Sequence, residues 1–241
     1  EKKIKIIGDI PIYVALDSVD VWVYTDLFEL DEKLNPKTVA GCPPDAFSET
    51  GQLWGNPIYD WDRHKETGYG WWIDRLKGST KLYDVVRIDH FRGFDEYYAI
   101  PYGDKTAVNG KWKQGPGIEF FRCLEEKLGK LNIIAEDLGD ITDEVVQLVE
   151  ESGFPGMRVF QFGFLGGETP HKPHNYVNNS IAYSGTHDNN TLLGYIWELD
   201  PETRARVFEY CNCESDDWNH GCVMIIKTLM ASHSDTVIFP I

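Results

Sequence analysis

Six short runs rich in β-branched and apolar residues punctuate the chain: Lys5–Ile7 leading into Pro11–Val14, Asp84–Ile88, Asn132–Ala135, Arg158–Phe162, Ser180–Ser184 and Thr236–Phe239. Segments of helical period lie between several of them. In Gly117–Leu128, Phe120, Leu124 and Leu128 fall on one face, with Pro116 before the segment and Gly129 after it. Thr142–Glu151 opens on an acidic turn, Pro201–Tyr210 follows a candidate N-cap at Asp200, and Asp216–Ala231 runs into the last strand. Strand alternating with helix predicts an α/β fold with buried parallel strands. Asp89, Glu136 and Asp188 all stand where a strand gives way to a polar loop. In a (β/α)8 barrel the C-terminal strand ends form the active face, whereas an open doubly wound sheet converges only at its switch point. Polar ends on many strands favour the barrel. Six strands are two short of eight, so residues 1–241 read as one catalytic barrel domain cut at both ends.

Composition narrows the partners. With 39 acidic against 23 basic residues the net charge is −16, which disfavours nucleic acid and acidic membranes. No apolar run approaches the ~18 residues that span a bilayer, and the N-terminus lacks the apolar core of a signal peptide. The expectation is a soluble, cytoplasmic protein. Five scattered cysteines (Cys42, Cys123, Cys211, Cys213 and Cys222) read as reduced thiols rather than a disulfide framework. Cys211 and Cys213 lack the second pair of ligands that a zinc site needs. Eight Trp and twelve Tyr offer flat faces that suit sugar rings.

Two stretches interrupt the alternation. Asp31–Trp61 carries Asn35-Pro36, Pro43-Pro44, Gly51, Gly55 and Asn56-Pro57 without helical or strand period, which predicts a long loop acting as a lid. It holds Phe47, Trp54, Tyr59 and Trp61, unlike a linker. Tyr97–Gly117, with Lys111-Trp112-Lys113, reads the same way.

Three strand ends carry the candidate chemistry. In Arg87-Ile88-Asp89-His90, strand alternation puts Arg87 beside Asp89, where a guanidinium favours the ionised carboxylate that a nucleophile needs. An Arg–Asp pair closing the barrel rim is the competing reading. Glu136 emerges from the apolar run Ile133-Ile134-Ala135, where desolvation raises a carboxyl's pKa toward that of a general acid. The alternative is an N-terminal charge for the helix near Thr142. Gly185-Thr186-His187-Asp188-Asn189-Asn190-Thr191 concentrates hydrogen-bonding groups fit to grip hydroxyls, unless Asp188 merely N-caps a helix. Two carboxyls flanking a glycosidic bond are the minimum for glycoside chemistry, and a separation of about 5–5.5 Å makes the route retaining.

These motifs resemble the 4-α-glucanotransferases called amylomaltase or disproportionating enzyme, relatives of the α-amylases. The resemblance is carried by Gly8-Asp9-Ile10-Pro11-Ile12-Tyr13-Val14, by the segment from Pro43-Pro44-Asp45 to Gly55-Asn56-Pro57, by Arg87-Ile88-Asp89-His90-Phe91-Arg92-Gly93, by Ala135-Glu136-Asp137-Leu138-Gly139 and by Thr186-His187-Asp188-Asn189-Asn190. It implies a (β/α)8 TIM barrel with Asp89 as nucleophile, Glu136 as acid/base and Asp188 as transition-state stabiliser. Arg87 and His187 contact the donor sugar on this reading, and Tyr13, Phe47, Trp54, Asn56, Pro57 and Asn189 complete the substrate-binding set. The family often has Tyr where this chain has Ala46, which removes one acceptor contact. Its barrel also has two strands before the one ending at Val14 and continues beyond Ile241. Six isolated strands predict exposed edges and poor solubility.

The reaction expected is retaining transfer of an α-1,4-glucan segment to the 4-hydroxyl of an acceptor glucan or glucose, through a covalent glycosyl-enzyme, with malto-oligosaccharides as substrates. No cofactor is implied. The rivals are an α-amylase-like retaining hydrolase, an inactive glucan-binding fragment, and a metal-dependent barrel hydrolase using Asp89-His90 and His187-Asp188 as ligands. The last lacks any His-x-His or His-Glu-x-x-His spacing.

Overall fold

A computed structural model describes residues 3–45 and 48–240. The chain packs as two compact units, the first ending at Phe154 and the second beginning at Pro155.

The first unit runs β1 (Ile7–Pro11), α1 (Val19–Val23), β2 (Thr38–Cys42), β3 (Gln52–Pro57), α2 (Trp61–Glu66), α3 (Gly70–Ser79), β4 (Val85–Asp89), β5 (Glu96–Pro101), β6 (Lys111–Gln114), α4 (Gly117–Leu128), β7 (Ile133–Ala135) and α5 (Asp143–Ser152). Within it β1, β4 and β7 pair in parallel, with Asp9 opposite Arg87, Pro11 opposite Asp89, and Ile88 opposite Ala135. β7 is buried throughout and β4 at its three central residues, whereas β1 alternates exposed and buried. The helices follow local signals. α4 buries Phe120, Phe121 and Leu124, and Thr142 caps α5 by accepting from the Val145 N–H. These aromatics join Trp72, Phe91, Phe94 and Phe154 in the core, with the Phe94 and Phe120 rings stacked at 5.0 Å.

The stretches read from sequence as loops form a second sheet. Its four antiparallel strands lie in the order β3-β2-β5-β6, so Asp31–Trp61 contains two strands and Tyr97–Gly117 most of two more. Gly41 is required where β2 meets β3, because a Cβ there sits 2.0 Å from the Gln52 carbonyl oxygen. Local propensity hides this sheet, since Gln52–Pro57 contains Gly and Pro and gains its strand character from its partners.

The second unit runs β8 (Gly156–Val159), β9 (Ser180–Tyr183), α6 (Leu192–Glu198), α7 (Pro201–Tyr210), α8 (Trp218–Met230) and β10 (Thr236–Ile238). β8, β9 and β10 are parallel, with β9 central. The run Arg158–Phe162 is strand only to Val159, after which Phe160–Phe164 turns into a 3₁₀ helix. Asp200 caps α7 through the Glu202 and Thr203 N–H groups. The six parallel strands match the six expected from sequence. All five cysteines are free. Among the described residues no helix is long and apolar enough to cross a membrane.

Phe120→Ala is expected to cost about 3–5 kcal/mol, because the ring is fully buried among others and a cavity remains. A urea denaturation comparison that finds less than about 1 kcal/mol contradicts this packing.

Candidate active site

Asp89 is the last residue of β4, and Glu136 follows the last residue of its neighbour β7. The Glu136 N–H donates to the Ile88 carbonyl at 3.1 Å and the Phe91 N–H to the Glu136 carbonyl at 3.1 Å, so the pairing continues beyond the strands. Adjacent strands lie about 4.8 Å apart, which brings the two acidic residues to neighbouring positions on one rim.

Arg87 anchors Asp89. Its guanidinium is buried and bridges two strands, with Nη1 donating to Asp9 Oδ2 at 2.6 Å and Nη2 to Asp89 Oδ1 at 2.8 Å. Burial pulls the Arg87 pKa down, but the Asp9 hydrogen bond and the charges of Asp9, Asp89 and Glu136 outweigh it and the net movement is upward. Arg87 is therefore a fixed cation under the site. Asp9 was not among the residues singled out from sequence, although it sits mid-strand within the Gly8–Val14 motif; a carboxylate inside an otherwise apolar strand was the signal available.

Glu136 is 8 % exposed, and its pKa is pushed up to about 7. Burial is the main cause, and the Asp89 charge adds to it. The His90 N–H donating to Oε2 at 2.7 Å, the Leu138 N–H donating to Oε1 at 2.9 Å, and the Arg87 charge all act the other way. The carboxyl is thus half-protonated near neutrality while both oxygens keep a donor. Thr142 caps α5, so Glu136 is not that helix's terminal charge.

The turn after Asp89 is shaped by His90, whose left-handed backbone (φ 55°, ψ 50°) sends its N–H toward Glu136 and starts the 3₁₀ helix Phe91–Phe94. Gly93 permits that helix to lie against the first strand's continuation, since a Cβ would come within 2.8 Å of Ile12 Cδ1. Burial, with the Arg92 charge, lowers the His90 pKa to about 4, so the imidazole is neutral.

A pocket of about 260 Å³ opens over this rim, lined by Pro11, Ile12, Tyr13, Trp54, Asn56, Asp89 and His90. β3 supplies its outer wall. Trp54 meets the His90 ring edge-on at 4.8 Å and the Tyr13 ring at 6.3 Å, and Asn56 Nδ2 donates to the Val14 carbonyl at 2.9 Å. Of the binding residues expected from sequence, Tyr13, Trp54 and Asn56 line the pocket with Asp89. Pro57 does not line it, being buried opposite Val39 in the antiparallel sheet. Phe47 and Ala46 lie outside the described residues.

In the second unit, His187, Asp188 and Asn189 occupy the turn after β9. His187 and Asp188 are exposed, with His187 Nε2 3.4 Å from Asp188 Oδ2. Asn189 Oδ1 accepts from the Thr186 N–H at 2.8 Å and the Thr186 hydroxyl at 3.0 Å, so its carboxamide shapes the turn. Buried Gln161, which sequence reasoning passed over, supports the same turn by donating from Nε2 to the Asn190 carbonyl at 2.8 Å. Thr191 caps α6, which releases Asp188 from that role. Among the described residues no three His, Cys, Asp or Glu side chains are grouped to hold a metal ion.

The whole chain, residues 1–241, matches glycoside hydrolase family 77, described as 4-alpha-glucanotransferase. The chain belongs to this 4-alpha-glucanotransferase family. It is 51% identical to the 4-alpha-glucanotransferase of Clostridium butyricum over 97% of this chain and 49% of that protein. It is 49% identical to that of Thermus thermophilus over 86% of this chain and 42% of that protein. Among solved structures it resembles amylomaltase from Streptococcus agalactiae in complex with acarbose, with a TM-score of 0.93, 46% identity, and coverage of 98% of this chain and 48% of that one. The chain spans about half the length of the curated relatives it matches. Amylomaltase is a TIM-barrel enzyme, so the fold class expected from sequence stands, with six of its strands in this chain.

Glu136 makes folding pH-dependent. Its pKa rises from about 4.3 in the unfolded chain to about 7 in the folded one. A raised folded pKa contributes stability that is complete below the unfolded value and lost as pH climbs through the folded one. The difference corresponds to about 4 kcal/mol. Glu136→Gln is expected to flatten the fall in stability between pH 4 and pH 8 by an amount of that order; urea titrations whose pH dependence matches that of the native sequence contradict it.

Proposed function

We propose that this chain carries the nucleophile and the acid/base of a retaining α-1,4-glucan transfer. The observation that carries the reading is the pairing of an Arg87-anchored carboxylate, Asp89, with a buried Glu136 whose pKa lies near 7, on adjacent strand ends. In the first step an Asp89 oxygen attacks the anomeric carbon as the bond to the leaving 4-oxygen breaks, and Glu136 gives that oxygen its proton. In the second, Glu136 takes the proton of an incoming 4-hydroxyl, whose oxygen attacks the anomeric carbon and frees Asp89. One carboxyl must therefore be protonated and then ionised in each cycle, which a pKa near 7 suits. Arg87 holds the nucleophile against rotation through the 2.8 Å ion pair to Asp89 Oδ1.

Family membership supports the remaining roles. Asp188 is the third carboxylate, stabilising the oxocarbenium-like transition state, and His187 binds a donor hydroxyl. The β2–β3 segment acts as the lid, with Trp54 offering a stacking face to the acceptor and shielding the intermediate from water. The substrates are malto-oligosaccharides and longer α-1,4-glucans, the site of action is the cytoplasm, and no nucleic acid or membrane takes part.

Incubation with maltotriose tests the reading: longer oligosaccharides are expected to appear, whereas shorter products alone indicate a hydrolase. Asp89→Asn is expected to reduce transfer at least about 10³-fold. Transfer is also expected to fall above about pH 7 as Glu136 loses its proton before the first step. A rate that stays level from pH 6 to pH 9 removes Glu136 from the acid role.

A further inference from the structure

Arg92 is almost fully buried, yet it belongs neither to the pocket lining nor to the hydrophobic interior. It stands in the 3₁₀ turn that follows Asp89 and His90, and its guanidinium touches two other elements. One flat face lies 4.0 Å from the centre of the Trp112 ring, on β6 of the antiparallel sheet. Nη1 donates to the Asp140 main-chain carbonyl, with the Asp140 carboxylate 3.7 Å away, while Nε has no hydrogen-bond partner among the described residues.

Asp140 closes the loop that Glu136 opens. The near end of that loop is tied to the Asp89 strand by the Glu136 N–H to the Ile88 carbonyl and the Phe91 N–H to the Glu136 carbonyl. Its far end is held by Arg92. Between the clamps lies Leu138, whose N–H donates to Glu136 Oε1 at 2.9 Å. The position of that donor depends on both ends of the loop.

We propose that Arg92 is a positioning residue that, stacked on Trp112 and bound to the Asp140 carbonyl, fixes the loop presenting Glu136 and so couples the lid sheet to the acid/base. This deepens the glucan-transfer reading and rests on it for the role of Glu136, but the coupling itself is a property of the fold. A buried, flat, permanently charged fork can stack and donate at once, which a lysine cannot. The sheet bearing Trp112 also bears Trp54, so a sugar pressing on the lid bears on the same frame that places the Leu138 donor.

The groups facing Glu136 include Arg87 and Asp89 from β4, the His90 N–H from the turn after it, the Leu138 N–H from its own loop, and the Cys42 thiol from β2. Trp112 is not one of them and is uncharged, so replacing it changes no charge near Glu136. If the loop loosens, the carboxylate loses part of a hydrogen bond that favours its ionised form. Its titration then moves upward, by roughly 0.3–1 pH unit for partial loss of one bond to a charged group.

The test is carboxyl carbon NMR titration of Glu136 in the full chain, with the signal assigned by its absence in Glu136→Gln, for Trp112→Leu and Arg92→Lys. Both variants are expected to raise the midpoint by that amount. Arg92→Lys keeps the charge, so a purely Coulombic role leaves its midpoint at the native value and overturns the proposal. Midpoints unchanged in both variants, with only thermal stability lost, overturn it as well. Should Trp112→Leu fail to fold, Trp112→Phe keeps a ring under the guanidinium, and a smaller rise there supports the coupling while none overturns it. A raised midpoint in a chain that transfers nothing from maltotriose upholds the positioning role and sinks the transfer reading instead.

Discussion

An arginine side chain that is only 10 % exposed has to be matched by carboxylates, and Arg87 is matched by Asp9 and Asp89. One comes from its own strand and the other from the strand beside it, so the pair sets the register of β1 on β4 as well as the orientation of Asp89. From that register follows the path of Pro11, Ile12 and Tyr13, which wall the pocket. The Tyr59 hydroxyl and the Arg75 guanidinium both donate to the Ile12 carbonyl, at 2.7 and 3.1 Å, and secure the path from below. The charge that orients the candidate nucleophile thus also positions the site's floor.

Glu136 places a functional demand against a folding demand. A carboxyl desolvated by its surroundings destabilises the folded chain once it ionises, yet the same desolvation brings its pKa to about 7. Two main-chain donors limit that rise. The arrangement concentrates a stability cost at a position with a chemical role, as sites poised for proton transfer commonly do.

Much of the parallel framework was legible because its signals are local. Gly117–Leu128 carries its own period and boundaries, and Thr142, Asp200 and the apolar run before Glu136 announce their elements within a few residues. The antiparallel sheet was not legible for the opposite reason. Gly41, Gly55 and Pro57 oppose strand formation in isolation, and pairing of Thr38–Cys42 with the aromatic strand Glu96–Pro101 on one side and with Gln52–Pro57 on the other overrides them. Helix Gly70–Ser79 escaped for a similar reason, with a glycine at its first and ninth positions and two adjacent Trp that break any simple stripe.

The acidic residues and their place at strand ends follow from residue order alone, because alternation and apolar runs dictate which side chains reach a rim. What each of them can do was decided by long-range packing. Asp9 meets Arg87 across 78 residues of chain, and the His90 N–H reaches Glu136 across 46. Pro57 is buried in the antiparallel sheet, and the Asn189 carboxamide braces its own turn through Thr186. Burial and hydrogen-bond partners set a pKa, and both are supplied by neighbours distant in the chain, which no local pattern encodes.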